Sequence, residues 1–308
     1  MAEYTAPQTL GDSGARQLAN ATKTPAQYSI ITPRWLVHLL QWQPVEAGIY
    51  RVNKVANPAD VRTACTAKES GELPDSFVDY DPAPREYFLN AQTTKLNINT
   101  RISDLYSSPH DQIKEQLRLT IETIKEHQES ELINNPDYGL IANVAESQRI
   151  FPLTGAPTPD DLDELLTKVW KEPAFFLTHP LVIAAFGREC TRRGVPPPTE
   201  SLFGAQCLTW RGIPLIPSDK VPVADGKSKI LLLRVGEKRQ GVVGLFQPGL
   251  PGEQSPGLSV RLMGIDRFAI ASYLISLYCS LAILTDDAVA ILDDVEVNKF
   301  HDYPNTYK

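Results

Sequence analysis

The chain has few of the residues from which catalytic and metal centres are built. Its 308 residues carry only four cysteines and five histidines. Cys65, Cys190, Cys207 and Cys279 lie far apart with no Cys-x-x-Cys pair, so no zinc or dithiol motif is spelled out. They read as buried free thiols in a reducing compartment, with a redox or sulfur-relay role for one of them as the alternative. His38, His110, His127, His179 and His301 form no His-x-x-x-His or His-Glu-x-x-His ligand pair. Basic residues are outnumbered, 30 against 37 acidic, and the net charge of −7 argues against a nucleic-acid binder. The first twenty residues, MAEYTAPQTLGDSGARQLAN, lack a basic start followed by an apolar core. That predicts no secretory signal and a cytoplasmic protein.

Local patterns that touch on chemistry dissolve on inspection. Gly226-Lys227-Ser228 matches the end of a phosphate-binding loop, but Val221 stands where that loop needs glycine, and Pro222 removes an amide. An exposed hairpin turn is the reading there. Gly236, Gly241 and Gly244 miss the dinucleotide spacing. Asp160, Asp161, Asp163 and Glu164 crowd one helix start, where the helix dipole accounts for them. His179, before a proline, reads as a cap or surface residue, and its pairing with Cys190 would need two side chains on different sides of one helix. No catalytic residue, metal ligand or cofactor site is expected.

What the chain does have is core, proline and length of helix. Hydrophobic residues make up 42% and charged residues 22%, values suited to a folded core. Twenty-five prolines are spread along the chain, which points to ordered loops and extended arms. Ser108 to about Asn134 reads as one long helix: Ser108 as N-cap, Pro109 at the first position and Asp111 in the first turn. Ile113, Leu117, Ile121 and Ile124 give it a single apolar stripe, and Asn134-Asn135-Pro136 stops it. At 1.5 Å per residue this is roughly 40 Å of rod. Residues 268–284 carry no charge, yet Tyr273, Ile275, Leu277, Cys279, Leu281 and Ile283 alternate with Ser272, Ser276 and Ser280. Period two predicts a buried strand over a membrane helix.

Elsewhere, Thr32-Pro33 is expected to open a three-turn helix with Trp35, Leu39 and Trp42 on one side, covered either by this chain or by a neighbouring subunit. Residues 77–106 read as a long hairpin turning at Ala91-Gln92-Thr93-Thr94. Thr158-Pro159-Asp160-Asp161 opens a helix with the stripe Leu162, Leu165, Leu166 and Val169, and His179-Pro180 opens another ending at Gly194. Strands are expected at about 206–210, 213–217, 229–235, 242–246 and 258–263, followed by 270–284 and the segment 287–295.

The run Thr209-Trp210-Arg211-Gly212-Ile213-Pro214-Leu215-Ile216-Pro217-Ser218-Asp219-Lys220-Val221-Pro222, with the order arm, extended loop, long helix, compact domain and returning strand, resembles tailed-phage capsid proteins and encapsulins. Residues 19–42, 104–135, 155–195 and 229–260 make the likeness specific to family 2 encapsulins. The chain has no room for an inserted cyclic-nucleotide-binding domain, so it resembles the insert-free, type 2A branch. The resemblance implies an α+β, Hong Kong 97 type capsid fold. It divides the chain into an N-terminal arm (1–45), an irregular peripheral segment (46–76), an extended loop (77–106), a peripheral domain with the spine helix (107–154), an axial domain (155–264) and a returning strand with the C-terminal segment (265–308).

It further implies a non-enzymatic shell protein whose partners are copies of itself, 60 in the smallest icosahedral closure, and an encapsulated cysteine desulfurase linked to sulfur metabolism. Neither nucleic acid nor membrane is an expected partner. Two surfaces follow as expectations. Trp35, Leu39 and Trp42 contact a neighbouring subunit. Arg192, Arg193, Pro196, Pro197, Pro198, Thr199 and Glu200 line a fivefold pore, the prolines holding a polyproline constriction. The cargo-docking site is not legible. The rivals are a phage-type coat packaging DNA, a membrane-associated protein anchored through 268–284, and an enzyme, which lacks a catalytic set.

Overall fold

The computed structural model describes residues 32–53, 75–99, 112–202, 204–267 and 270–301. The helices in chain order are α1 (Trp35–Leu39), α2 (Gln112–Asn134), α3 (Leu140–Asn143), α4 (Pro159–Lys168) and α5 (Pro180–Arg193). The strands begin with β1 (Gln41–Pro44), β2 (Ile49–Val52), β3 (Arg85–Phe88), β4 (Asn90–Asn99), β5 (Arg149–Ile150), β6 (Phe175–Thr178) and β7 (Thr199–Leu202). They continue with β8 (Ala205–Trp210), β9 (Ile213–Pro217), β10 (Lys227–Leu233), β11 (Val242–Phe246), β12 (Glu253–Ser255), β13 (Leu258–Ile265), β14 (Ile270–Ile283) and β15 (Val289–Glu296).

Two sheets carry the fold. A seven-stranded mixed sheet runs β5-β15-β10-β6-β9-β8-β7. Its strands alternate side chains between faces, as period two requires. Phe176, Ile230, Leu232 and Leu292 meet α4 and α5 through Leu162, Leu165, Val182 and Phe186. Phe175, Leu177, Leu231, Leu233 and Ile291 point the other way, onto α1 and the end of α2 through Leu36, Leu132 and Ile133. Both faces are therefore buried, which explains why β10 and β15 read as near-continuous apolar runs.

The second sheet is organised around β14. Its 14 residues are paired antiparallel by β4 along 270–279, by β13 along 271–277 and by β11 along 279–283. Leu117, Ile121 and Ile124 of α2 lie on this sheet against Leu258, Ile275, Leu277 and Cys279. The single stripe of the long helix thus has a single sheet to cover. The β2–β3 ribbon covers another part of the same sheet, packing Tyr87 and Tyr50 near Val243 and Leu245. Residues 270–283 form a strand, and among the described residues no helix is long and apolar enough to cross a membrane.

Local signals acted largely as the chemistry of helix ends demands. Thr158 and Asp161 form a reciprocal capping box, with Pro159 in the first turn. His179 Nδ1 accepts from Leu181 N at 3.2 Å, so this histidine is a cap. Gly194 closes α5 at φ 68°, and the Val195 amide returns to Cys190 O at 3.0 Å. Asn135 Oδ1 accepts from Asp137 N at 2.9 Å where α2 stops. The start of α2 at Ser108-Pro109 lies outside the described residues.

Three expectations need correction. The expected hairpin turn at Ala91–Thr94 is instead the first part of β4, where these residues pair with Ile275–Tyr278. Successive side chains there alternate between the two faces of a strand held by a long partner, Gln92 and Thr94 half-buried and Thr93 exposed. The helix opened by Thr32-Pro33 is five residues long, starts at Trp35 after Arg34 in the left-handed region (φ 49°), and stops because Gln41–Pro44 pairs in parallel with Val243–Phe246. Strand formation thereby takes Trp42 out of the helix. The strands β2, β6 and β7, which the sequence reading passed over, are the third: Ile49–Val52, within the stretch expected to be irregular, pairs with Arg85–Phe88, Phe175–Thr178 is a central strand and Thr199–Leu202 an edge strand.

Candidate assembly surfaces and pore loop

The first surface is the seat of the N-terminal segment on the long helix. Glu122, Glu126 and Glu129 stand four and three residues apart on α2, so one helix face offers three carboxylates in a row. Thr32 donates to Glu126 from its amide at 2.9 Å and from its hydroxyl at 2.8 Å. Arg34 Nη1 donates to Glu122 at 2.7 Å, and Leu36 N donates to Glu129 at 2.9 Å. Helix α1 has no side-chain cap of its own. Carboxylates from α2 satisfy its open end instead, across more than 90 residues of sequence. Lys220, from the loop after β9, reaches Glu126 at 3.1 Å and Asp219 at 2.8 Å. Burial works against the Lys220 ammonium, but its hydrogen bonds to Asp219 and Glu126 outweigh this and raise its pKa. Burial pushes the Glu129 carboxyl up to about 7, only partly offset by the Leu36 amide and Lys220.

Trp35, Leu39 and Trp42 are half-buried against this chain's own core, beside Leu36 and Leu40. Trp42 Nε1 donates to Val37 O at 2.9 Å, and its ring lies over Gly244, where a Cβ would come within 2.7 Å. Of the two coverings open to these side chains, the chain supplies one itself. Residues 1–31, the remainder of the expected arm up to this point, lie outside the described residues. Between α1, α2 and β14 a mainly apolar cleft of about 300 Å³ opens, lined among others by Arg34, Val37, His38, Trp42, Leu277 and Cys279.

The second surface is the turn from α5 into β7. Arg192, Arg193 and Pro196 are exposed, as are Pro198, Thr199 and Glu200, while Pro197 is half-buried. Thr199 and Glu200 are not loop but edge strand, opposite Leu208 and Cys207. Pro198 O accepts from Thr209 N at 2.8 Å, which pins the end of the proline run to the sheet. The loop is a projecting, proline-stiffened corner at the outermost strand of the seven-stranded sheet. Both arginines turn back to one buried acid: Glu189 pairs with Arg193, and with Arg192 at 3.7 Å. Its other oxygen meets His301 Nε2 at 2.7 Å. Burial raises the Glu189 pKa, but hydrogen bonds from Arg193 and His301 outweigh it and hold the carboxyl below its ordinary value. Arg188 adds bonds to Val297 O and Lys299 O and stacks on Phe300. These contacts tie the chain's end to the base of the proline corner. No pattern in the sequence announced that link, because its partners are more than 100 residues apart.

The three described thiols sit in surroundings that favour the protonated form. Burial pushes the Cys190 thiol up to about 11 and Cys279 up to about 12, and raises Cys207 as well. The arginines near Cys190 do not reverse this. Cys190 packs in the α4–α5 core, ten residues along the helix from the capped end that holds His179, or roughly 15 Å. Cys65 lies outside the described residues. Among the described residues, no group of three or more His, Cys, Asp or Glu is arranged to hold a metal ion. Asp163 is taken up by Arg211 at 2.9 Å and by Trp210 Nε1 at 2.7 Å, and Asp161 by the capping box. Gly226 sits in a tight turn between Ala224 and Lys227, at φ 73° after Asp225 at φ 52°, so the Gly-Lys-Ser run is a hairpin turn.

Comparisons with known proteins agree with this architecture. The family model described as type 2A encapsulin shell protein, SrpI-like, matches residues 49–299. A Synechococcus elongatus protein named type 2A encapsulin shell protein SrpI is 68% identical over 97% of this chain and 98% of its own length. The cryo-electron-microscopy structure of the holo-SrpI encapsulin complex from the same species superposes with a TM-score of 0.82 and 66% identity. That match covers 96% of this chain and 99% of the other. The capsid of a native GTA particle superposes at a TM-score of 0.57 with 13% identity, over 94% of this chain and 95% of that one. At that identity the likeness shows the fold alone, and it is the Hong Kong 97 type of tailed-phage capsids.

Proposed function

On the premise that this chain belongs to the SrpI-like family of type 2A encapsulin shell proteins, we propose that it assembles with itself into a closed icosahedral compartment of 60 copies in the cytoplasm. The compartment encloses a cysteine desulfurase and serves sulfur metabolism, and the shell itself carries out no chemistry. The observation that carries the reading is likeness along nearly the whole chain, at 66–68% identity, to a shell protein and to a holo encapsulin complex.

The physical features support it. The exposed surface of the single chain bears large apolar side chains on separate elements, among them Phe77, Phe88, Trp170 and Met263. Scattered singly, such groups are ordinary on a protein surface, and they are compatible with faces that copies of the chain cover. Buried, protonated thiols suit a wall more than an active site. In this reading the proline corner from Arg192 to Glu200 lines the fivefold pore, with Arg192, Arg193 and Glu200 setting the charge met by solutes. The N-terminal arm (1–45) contacts a neighbouring subunit through the parts of Trp35, Leu39 and Trp42 that its own chain leaves uncovered. Co-purification tests the cargo: tagged shells expressed with the desulfurase should carry it through size exclusion in the particle peak. Its elution apart from intact shells would remove the cargo assignment.

A further inference from the structure

We infer that Glu129 is a protonation-dependent anchor that seats helix α1, and with it one wall of the apolar cleft, on the long helix α2. The carboxyl is 1% exposed and its bond to Leu36 N closes the otherwise uncapped end of a five-residue helix. So short a helix has little stability of its own. Its place depends on what holds its open end and on the apolar side chains beneath it. The same helix supplies Val37 and His38 to the cleft, and Arg34 just ahead of it lines the cleft too, so the cleft keeps its shape only while α1 is seated.

The surroundings disfavour a charge on Glu129. From α2 itself come the carboxylates of Glu122 and Glu126 and the ammonium of Lys125; from α1, Arg34 and His38; from the loop after β9, Asp219 and Lys220; from the sheet, Cys279, bonded to Gln128. The cations are already engaged: Arg34 by Glu122 and Glu126, Lys220 by Glu126 and Asp219, Lys125 by Glu122 at 4.0 Å. Burial, Glu126 and Asp219 all favour the neutral acid, and Leu36 and Lys220 offset them only in part. A neutral carboxyl still accepts the Leu36 amide, so the seat holds. Ionisation near neutral pH places a charge in a dry site, and lifting α1 is the motion that lets water reach it. The sign follows from linkage. Glu129 ionises near 7 when seated and near its ordinary 4.5 when α1 has lifted. The seat is therefore firmest below about pH 4.5, weakens as pH rises through about 7, and levels off once both states are ionised.

The anchor rests on the shell reading only for its consequence, since the seat lies within one chain. Hydrogen exchange of the amides of Leu36–Leu40, read by mass spectrometry on the purified full-length protein, tests it. After correction for intrinsic base catalysis, protection should fall about tenfold between pH 6 and 8.5. In Glu129→Gln, which keeps the acceptor and loses the charge, protection should stay level across that range. In Glu126→Gln the fall should persist with its midpoint moved to lower pH. A level wild-type profile, or an equal fall in wild type and Glu129→Gln, would overturn the anchor. Should Glu129→Gln fail to fold, the wild-type profile and the Glu126→Gln midpoint still decide. Particle counts by negative stain on the same samples separate this outcome from any failure to assemble.

Discussion

Arg234 and Asp287 form a two-pronged ion pair at the edge of the core, with Nη2–Oδ1 at 2.7 Å and Nη1–Oδ2 at 3.4 Å. The guanidinium side chain is 1% exposed, and it also bonds Thr285 Oγ1 and Gln240 O. The pair joins the end of β10 to the turn before β15, two adjacent strands of the seven-stranded sheet. Asp287→Ala leaves a buried cation without its partner and should destabilise the subunit by about 3–5 kcal/mol. The thermal midpoint of purified protein reads this directly. Asp287→Asn should cost less, since two of the bonds can be kept.

The same pair sets an acid limit. Hydrogen bonds from Arg234, Thr285 and Lys171 hold the Asp287 carboxyl well below the usual carboxylate range. A depressed folded-state pKa means that the stabilisation is present above the ordinary value near 3.8 and is lost as pH falls below it. Stability measured between pH 5 and 2 should drop more steeply in wild type than in Asp287→Asn. Parallel curves would contradict this.

Trp42 and Gly244 depend on one another, since a Cβ at 244 would meet the indole at 2.7 Å. Gly244→Ala should dislodge Trp42 and loosen β1 from β11. Trp42→Ala should cost about 2–4 kcal/mol, within the range for large core truncations after allowance for its half-exposure. The double variant should cost less than the two singles added, because the clash disappears with the ring. Additivity in urea or thermal unfolding would show that the contact is not what restricts position 244.

Replacing Cys65, Cys190, Cys207 and Cys279 by alanine or serine, in shells loaded with active cargo, should weaken assembly because buried thiols fill space. Turnover inside the shells that remain should be unchanged. Intact loaded shells that have lost desulfurase turnover would mean that wall thiols relay sulfur. For the pore, Arg192→Glu should slow uptake of a small anion into intact shells more than that of a neutral solute of equal size. A particle map placing 192–200 more than one subunit width from the fivefold axis would dispose of the pore assignment.

Most of the framework was legible because it depends on local chemistry. The capping box at Thr158, the glycine stop at 194 and the period-two run of β14 each follow from a handful of neighbouring residues. What escaped was set by distant partners. Ala91–Thr94 looks like a turn until β14 is laid beside it. Gln41–Pro44 has no strand pattern, and becomes a strand only because β11 offers an open edge. The Glu122–Glu126–Glu129 row reads in sequence as an ordinary solvated helix face. Only the arrival of Thr32, Arg34 and Leu36 makes it a seat. The link from His301 through Glu189 to the proline corner escaped for the same reason.

The central claim is assembly into a closed, cargo-holding shell, and imaging of the purified protein tests it most directly. Size exclusion followed by negative-stain microscopy, with absorbance at 260 and 280 nm recorded on the peak, should show uniform closed particles. Sixty copies of a 34.1 kDa chain would give a particle of about 2 MDa, with an absorbance ratio typical of protein. Monomers or small open oligomers would contradict the account, and so would particles whose absorbance reports packaged nucleic acid.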